Sequence, residues 1–266
     1  MMTNQYDAFL NPSTLNSFTT AAYRSFHSMI PGTMSLISEK LEEVNELKLE
    51  DFFFKPNIVQ IAGNLDNFLR GLALQAAQTL DTFFSSSITK LLFKSNRKFG
   101  TDLESIDIQR GRDHGLAPYN EFRVACGFPR ANSFEELKDV MPPNAIQNLK
   151  SKYNSVDDVD LFVGGIMENL VPKTLVGPTF QCIIGEQFKR WRNGDRFYYE
   201  FGGFPGSFNQ KQVREIRKVT LATIFCRNGD NITRIQPNVF KHSSTENRVL
   251  PCSKISKMNL DPWRGA

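Results

Sequence analysis

Eleven consecutive residues constrain this chain more than any other stretch: Ser105-Ile106-Asp107-Ile108-Gln109-Arg110-Gly111-Arg112-Asp113-His114-Gly115. Asp107, Arg110, Arg112, Asp113 and His114 fall within eight residues, in a chain with three histidines in all. Ordinary core segments do not concentrate charge like this, because ionised side chains are buried only when paired. The run reads as mixed loop and helix, and Leu116-Ala117-Pro118-Tyr119-Asn120 follows at once.

At 266 residues the chain holds one large domain or two small ones. A hydrophobic content of 40% with 23% charged residues is that of a globular protein, not a disordered one. The net charge of +4, with acids interleaved among the bases, argues against nucleic-acid binding. No apolar run approaches the ~18 to 20 residues of a membrane span. The start, Met1-Met2-Thr3-Asn4-Gln5-Tyr6-Asp7, is polar and lacks the apolar segment of a signal peptide. Taken alone, that points to the cytosol. The 23 phenylalanines are spread along the chain and read as aromatic core packing.

Cys126, Cys182, Cys226 and Cys252 all lie in the C-terminal part, without the tight spacing of a zinc or redox site. They fit two disulfides in any of three connectivities, or free buried thiols. Asn231-Ile232-Thr233 is an acceptor triplet for N-glycosylation, whereas Asn11 is disqualified by Pro12.

The element pattern is mainly α, with long connections. Asn11-Pro12-Ser13-Thr14 reads as a helix start, and the helix runs through Phe18, Ala21, Ala22 and Tyr23 to His27. Glu39 to Lys48 reads as charged and partly helical. Asn57 to Leu80 has helical spacing of apolar residues, and Asp81 to Lys94 extends or follows it. Tyr119 to Cys126 and Pro143 to Tyr153 read as helices, with a capping box at Ser133-Phe134-Glu135-Glu136 between them. Val156 to Gly165 reads as turn or loop. Gly177 to Asn193 and Asn209 to Leu221 are further helices, Ile232 to Ile235 a short strand, and the residues after Cys252 a loose tail.

His27 ends the segment Ala21-Ala22-Tyr23-Arg24-Ser25-Phe26-His27. On its own, a helix histidine is more often a surface or packed residue than a ligand. Helical spacing puts Arg24 on its face. Asp107 on its own reads as a helix cap or an ion pair with Arg110 or Arg112. Arg112, Asp113 and His114 read as a structural ion and hydrogen-bond cluster.

Taken together, these stretches resemble the animal haem peroxidases. The run Gln109-Arg110-Gly111-Arg112-Asp113-His114-Gly115 is similar to that family's signature. Tyr119-Asn120 with Cys126-Gly127-Phe128-Pro129 is similar to a second family motif. Asp158-Val159-Asp160-Leu161-Phe162-Val163-Gly164-Gly165, with Glu168, is similar to a third. Val176-Gly177-Pro178-Thr179-Phe180-Gln181-Cys182-Ile183-Ile184-Gly185 with Gln187-Phe188, and Arg192-Asn193-Gly194-Asp195-Arg196-Phe197-Tyr198-Tyr199-Glu200, complete the series. The resemblance runs from about Asn4 to about Cys252, so that 1–252 is read as the C-terminal part of a peroxidase domain and 253–266 as tail.

The resemblance implies a mainly α-helical peroxidase fold and a haem cofactor. It implies that His27 is the axial iron ligand. Asp107, where vertebrate members carry asparagine, would accept a hydrogen bond from the ligand's other nitrogen. Arg24 and Arg110 would hold the haem's propionates, with Ile106 on the pocket wall. An arginine suits that role because its planar fork pairs with carboxylates and keeps its charge. The resemblance also implies Cys126–Cys182 and Cys226–Cys252 bridges, hence an oxidising, extracellular setting. The activity implied is hydrogen peroxide-dependent oxidation of a small electron donor.

Only 26 residues precede His27. The family's distal histidine, catalytic arginine, haem-ester glutamate and calcium loop belong before that point. The chain therefore reads as a peroxidase fragment with the proximal half-site, weakly active or inactive by itself, its missing leader attributed to truncation. The alternative is a non-catalytic secreted binding or adhesion protein of the peroxinectin type, with a cell-surface or matrix partner. No RGD or KGD tripeptide supports it.

Overall fold

The charged run folds into one helix because both of its ends are closed by its own residues. In the computed structural model, which describes residues 5–264, this helix is α4, Leu103–Asp113. Asp102 caps it, accepting from the Glu104 amide at 3.0 Å and from the Ser105 hydroxyl at 2.7 Å. Arg110 and Arg112 occupy the last turn, where cations suit the helix dipole. Gly115, at φ +62°, supplies the left-handed residue that ends it, and the Leu116 amide returns to the Gly111 carbonyl. Met1–Asn4 and Gly265–Ala266, the outer parts of the polar start and of the tail, lie outside the described residues.

Mainly α is the observed class. The helices are α1 (Asn16–Thr20), α2 (Asn64–Leu74), α3 (Ser86–Thr89), α4, α5 (Tyr119–Ala125), α6 (Pro143–Lys152), α7 (Leu161–Ile166), α8 (Pro178–Gly194), α9 (Gln210–Ile216) and α10 (Leu221–Asn228). A 3-10 segment, Ala22–Met29, continues α1. The helix expected from Asn11 starts later, because Asn11 forms a turn with the Ser13 amide instead. The Leu15 amide is then taken by the buried Gln187 side chain at 2.6 Å.

Three local readings are corrected. Glu39–Lys48 is not helical: β1 (Thr33–Ile37) and β2 (Glu43–Lys48) form an antiparallel hairpin with a register shift at Leu36/Ile37. Burial of Leu36, Ile37 and Leu47 decides this, together with Gly71 of α2, whose missing side chain lets the helix lie on the Ser35 carbonyl. Val156–Gly165 is not loop but a 3-10 turn capped by Ser155 and Asp158, followed by α7. Ser133 forms no side-chain cap, and the Asn132 amide reaches Glu136 instead.

The main core gathers α1, α5, α6, α7, α8 and the 3-10 segment around Ala21, Tyr119, Leu137, Phe180 and Val159. Gly164 and Gly165 of α7 make this possible. A Cβ on Gly164 would stand 2.2 Å from the Tyr119 ring, and one on Gly165 2.3 Å from Phe180. Packing at this distance overrides the poor helix propensity of the glycine pair. A second core joins α2 and α10 to β3 (Arg234–Ile235) and β4 (Leu250–Pro251).

Both bridges are present, Cys126–Cys182 between α5 and α8 and Cys226–Cys252 between α10 and the turn after β4. Closing a loop of 56 residues stabilises the fold by about 4 kcal/mol through the unfolded state. Beyond Cys252, where a loose tail is expected, the described residues are held down. The Asn259 amide donates to Glu215, Pro262 accepts from Gln212, and the Trp263 ring meets Phe208. Among the described residues, no helix is long and apolar enough to cross a membrane.

Candidate functional site

His27 and Asp107 meet across 80 residues of sequence. The 3-10 segment brings His27. Its first residue, Ala22, and the preceding Ala21 are fully buried in the core, so the segment is fixed at its base. Three residues per turn place Arg24 one turn before His27 on the same edge. α4 brings Asp107, the only buried residue of that helix. Its Oδ2 lies 2.6 Å from His27 Nδ1, a short, charge-assisted hydrogen bond. The other ring nitrogen, Nε2, makes no hydrogen bond among the described residues, and the ring remains 22% exposed.

Arg110 stands on the other side of the carboxylate. Its Nε is 3.9 Å from Asp107 Oδ1, beyond hydrogen-bond reach, and both atoms are buried without a partner. Arg110 makes no hydrogen bond among the described residues. Ile106 and Arg110 line an open cleft of about 460 Å³ along α4, with Thr101, Ser105, Gln109 and His114. His27 reaches α4 at Asp107 and is not on the wall of this cleft. Arg24 makes no hydrogen bond or ion pair with His27, Ile106, Asp107 or Arg110; its Nε donates to the Thr19 carbonyl at 2.9 Å. Glu104 also belongs to α4, and its pKa is pushed up to about 7 by burial and by the charges of Asp102 and Asp107.

The rest of the charged run divides among three partners. Arg112 grips Asp160 with two hydrogen bonds, at 3.0 and 2.7 Å, and Tyr153 donates to the same carboxylate at 2.8 Å. Asp113 accepts from Gln109. His114 Nδ1 lies 3.0 Å from Asn16 Oδ1 and 3.4 Å from the Thr20 hydroxyl. Arg112 thus ties α4 to the start of α7, and His114 ties it to α1. Of the alternatives open for Asp107, the cap is taken by Asp102, while the ion pair with Arg110 is present at 3.9 Å beside the hydrogen bond to His27. Asn16, Thr20, Tyr153 and Asp160 escape the sequence reading. Asp160 lies in a motif that it singles out, but nothing local names its partner.

A second buried network lies in the main core. Glu168 accepts from Tyr119 at 2.6 Å, from the Thr179 hydroxyl at 2.6 Å and from the Thr179 amide at 2.8 Å. Burial raises the pKa of both Glu168 and Tyr119. The network is buried between α7, α5 and α8, and no residue of it lines the cleft on α4.

A buried carboxylate held against an imidazole, with the other ring nitrogen open, is an arrangement that can present that nitrogen to a metal. The chain matches the family model for animal haem peroxidase over residues 1–240, and it belongs to that family. It is 44% identical over 260 residues to a "Peroxidase" of Drosophila melanogaster, covering 98% of this chain and 38% of that protein. It is 36% identical to the "Peroxidasin homolog" of Homo sapiens, covering 97% and 18%. Among solved structures it resembles "Peroxidase A from Dictyostelium discoideum", with TM-score 0.77 and 34% identity over 90% of this chain and 45% of that one. A rice fatty acid alpha-dioxygenase shares the fold, at TM-score 0.64 and 22% identity. The chain spans less than half the length of each of these relatives.

Proposed function

We propose that this chain forms the proximal side of a haem peroxidase site. The observation that carries the reading is the 2.6 Å contact of Asp107 with His27 Nδ1, which leaves Nε2 open. The residues fit haem in two further respects. Arg110 is a guanidinium without a hydrogen-bond partner, suited to a propionate. Ile106, the neighbour of Asp107, contributes an apolar side chain to the otherwise polar cleft.

Haem iron, when bound, supplies the reduction of hydrogen peroxide and the withdrawal of electrons from a small donor. His27 holds the iron through Nε2. Asp107 accepts from Nδ1–H, which fixes the tautomer and makes the ligand more basic. Arg110 and Arg24 would hold the haem's propionates. Peroxide cleavage also needs a base for its proton and a cation for the departing oxygen. His114 is committed to Asn16 and Thr20, and His242 lies on an exposed loop. With His114 hydrogen-bonded in this way and no other base and cation assigned to that task, the chain by itself turns over weakly on this reading.

Two disulfides support an oxidising, extracellular setting. Asn231 is exposed in its triplet and accepts a glycan there. A purely adhesive, non-catalytic protein would leave the open Nε2 of His27, backed by Asp107, without a use.

The test is a haem titration of the purified chain alongside His27→Ala. A Soret band that shifts with the native chain and is lost in the variant supports the reading. An identical spectrum for both proteins removes His27 as the ligand.

A further inference from the structure

Charge is divided unevenly along this chain. Residues 209–266 carry eleven Lys and Arg against four Asp and Glu, a net of +7, while residues 1–208 net −3. Two of the four acids are committed locally. Glu215 accepts from Lys218 and from the Asn259 amide, and Asp261 pairs with Arg264. Arg227, Lys254 and Lys257 make no ion pair or side-chain hydrogen bond among the described residues.

Two of these cations, Arg227 and Lys257, line one cavity, and Lys254 lies in the turn that forms its wall. A cavity of about 270 Å³ lies between the end of α10 and the turn after β4. Arg227, Lys257, Ser253 and Ser256 line it, and no acidic residue does. Lys254 stands exposed in the same turn. Both walls are fixed. Cys226–Cys252 joins them covalently, and the Thr223 hydroxyl donates to the Ser256 carbonyl at 3.0 Å. The hydroxyls of Ser253 and Ser256 have no protein partner among the described residues. The arrangement holds two charged donors and two hydroxyl donors at a small, rigid, uncompensated cavity.

We propose that this cavity binds a sulfated polysaccharide, seating one sulfated sugar between Arg227 and Lys257, with Lys254 meeting the next. A sulfate ester keeps its charge at every relevant pH and accepts from ammonium, guanidinium and hydroxyl groups alike. The remaining surplus of positive charge on this segment draws in a polyanion over a longer range. Nucleic acid is disfavoured because no aromatic ring lines the cavity for bases to stack on.

The experiment is calorimetric titration of the full chain with a heparin-derived octasaccharide. The comparison is between Arg227→Ala/Lys254→Ala/Lys257→Ala and a control of equal charge change, Lys48→Ala/Lys138→Ala/Lys152→Ala. The expected result is at least tenfold weaker binding for the first and less than threefold for the control, with affinity falling as salt rises. Equal losses in both variants, unchanged affinity in the first, or no binding by the native chain at low salt would overturn the proposal. Single-stranded DNA of equal charge binding as tightly, with the same loss, would overturn the assignment to sulfated sugars. Should the triple variant fail to fold, Lys254→Gln/Lys257→Gln, both at exposed positions, is read against the same thresholds.

Discussion

His114 and Asn16 hold each other twice. The Asn16 side-chain amide donates to the His114 carbonyl at 3.1 Å, and His114 Nδ1 lies 3.0 Å from Asn16 Oδ1. This contact joins the end of α4 to the start of α1. It therefore joins the two segments that carry Asp107 and His27. The Arg112–Asp160 pair holds the other flank of α4 on α7. The signature run works as a bracket around one carboxylate.

Breaking the bracket tests this. Asn16→Ala removes both hydrogen bonds, together with the one that the Thr20 hydroxyl donates to Asn16 Oδ1, at an exposed site, and is expected to cost about 1 kcal/mol of stability. Denaturant unfolding reads that loss. If the bracket also positions the ligand pair, haem affinity falls in the same variant. Asn11→Ala, with a similar stability loss at a remote turn, leaves it unchanged.

The Asp107 carboxylate is expected to set the properties of the axial ligand. Asp107→Asn keeps an acceptor near Nδ1 but removes the charge. The reduction potential of the bound iron should rise, measured by spectroelectrochemical titration of the haem-loaded chain. Asp107→Ala removes the acceptor and should weaken haem binding about tenfold or more. A potential unchanged in Asp107→Asn would show that His27 is not the ligand that Asp107 addresses.

Glu104 should make the protein less stable at neutral pH than at mildly acid pH. Its folded pKa, about 7, lies above the ordinary carboxylate value, so the folded state binds its proton more tightly than the unfolded state does. The contribution is favourable below about pH 4.5 and is lost as pH rises to 7. Glu104→Gln should therefore be more stable than the native chain at pH 8, with the difference disappearing near pH 4. Urea midpoints at the two pH values decide it.

Glu200 acts with the opposite sign. Arg192 and Arg217 both pair with it and lower its pKa to about 2. Its contribution is present above pH 4.5 and is lost as pH falls toward 2. Glu200→Gln should flatten the acid limb of the stability profile, and acid titration followed by circular dichroism measures that slope.

Gly164→Ala should be strongly destabilising, although alanine favours helices. Its Cβ would overlap the Tyr119 ring at 2.2 Å. Overpacking a core contact costs about 1 to 3 kcal/mol. Alanine at Gly185 of α8, where nothing stands within 4 Å, should instead be neutral or stabilising, so thermal midpoints of the two variants should move in opposite directions.

Much of this protein follows from local sequence. Asp102 and Gly115 bound α4, and Pro178 opens α8, because caps and breakers act on neighbouring backbone alone. The motifs also name His27, Asp107 and Arg110 as members of one site. Tertiary structure decides the rest. Residues 33–48 become a hairpin because Leu36 and Leu47 are buried in it and β1 packs against α2, a contact absent from any local window. α7 is helical because Tyr119 and Phe180 need its two glycines. Asp107 had Arg110 and Arg112 nearby. It keeps the ion pair with Arg110 and hydrogen-bonds the distant His27, while Asp160 draws Arg112 away. Local chemistry chose the residues, and distant packing chose their partners, because the cost of burying a charge is settled only by what the folded chain brings beside it.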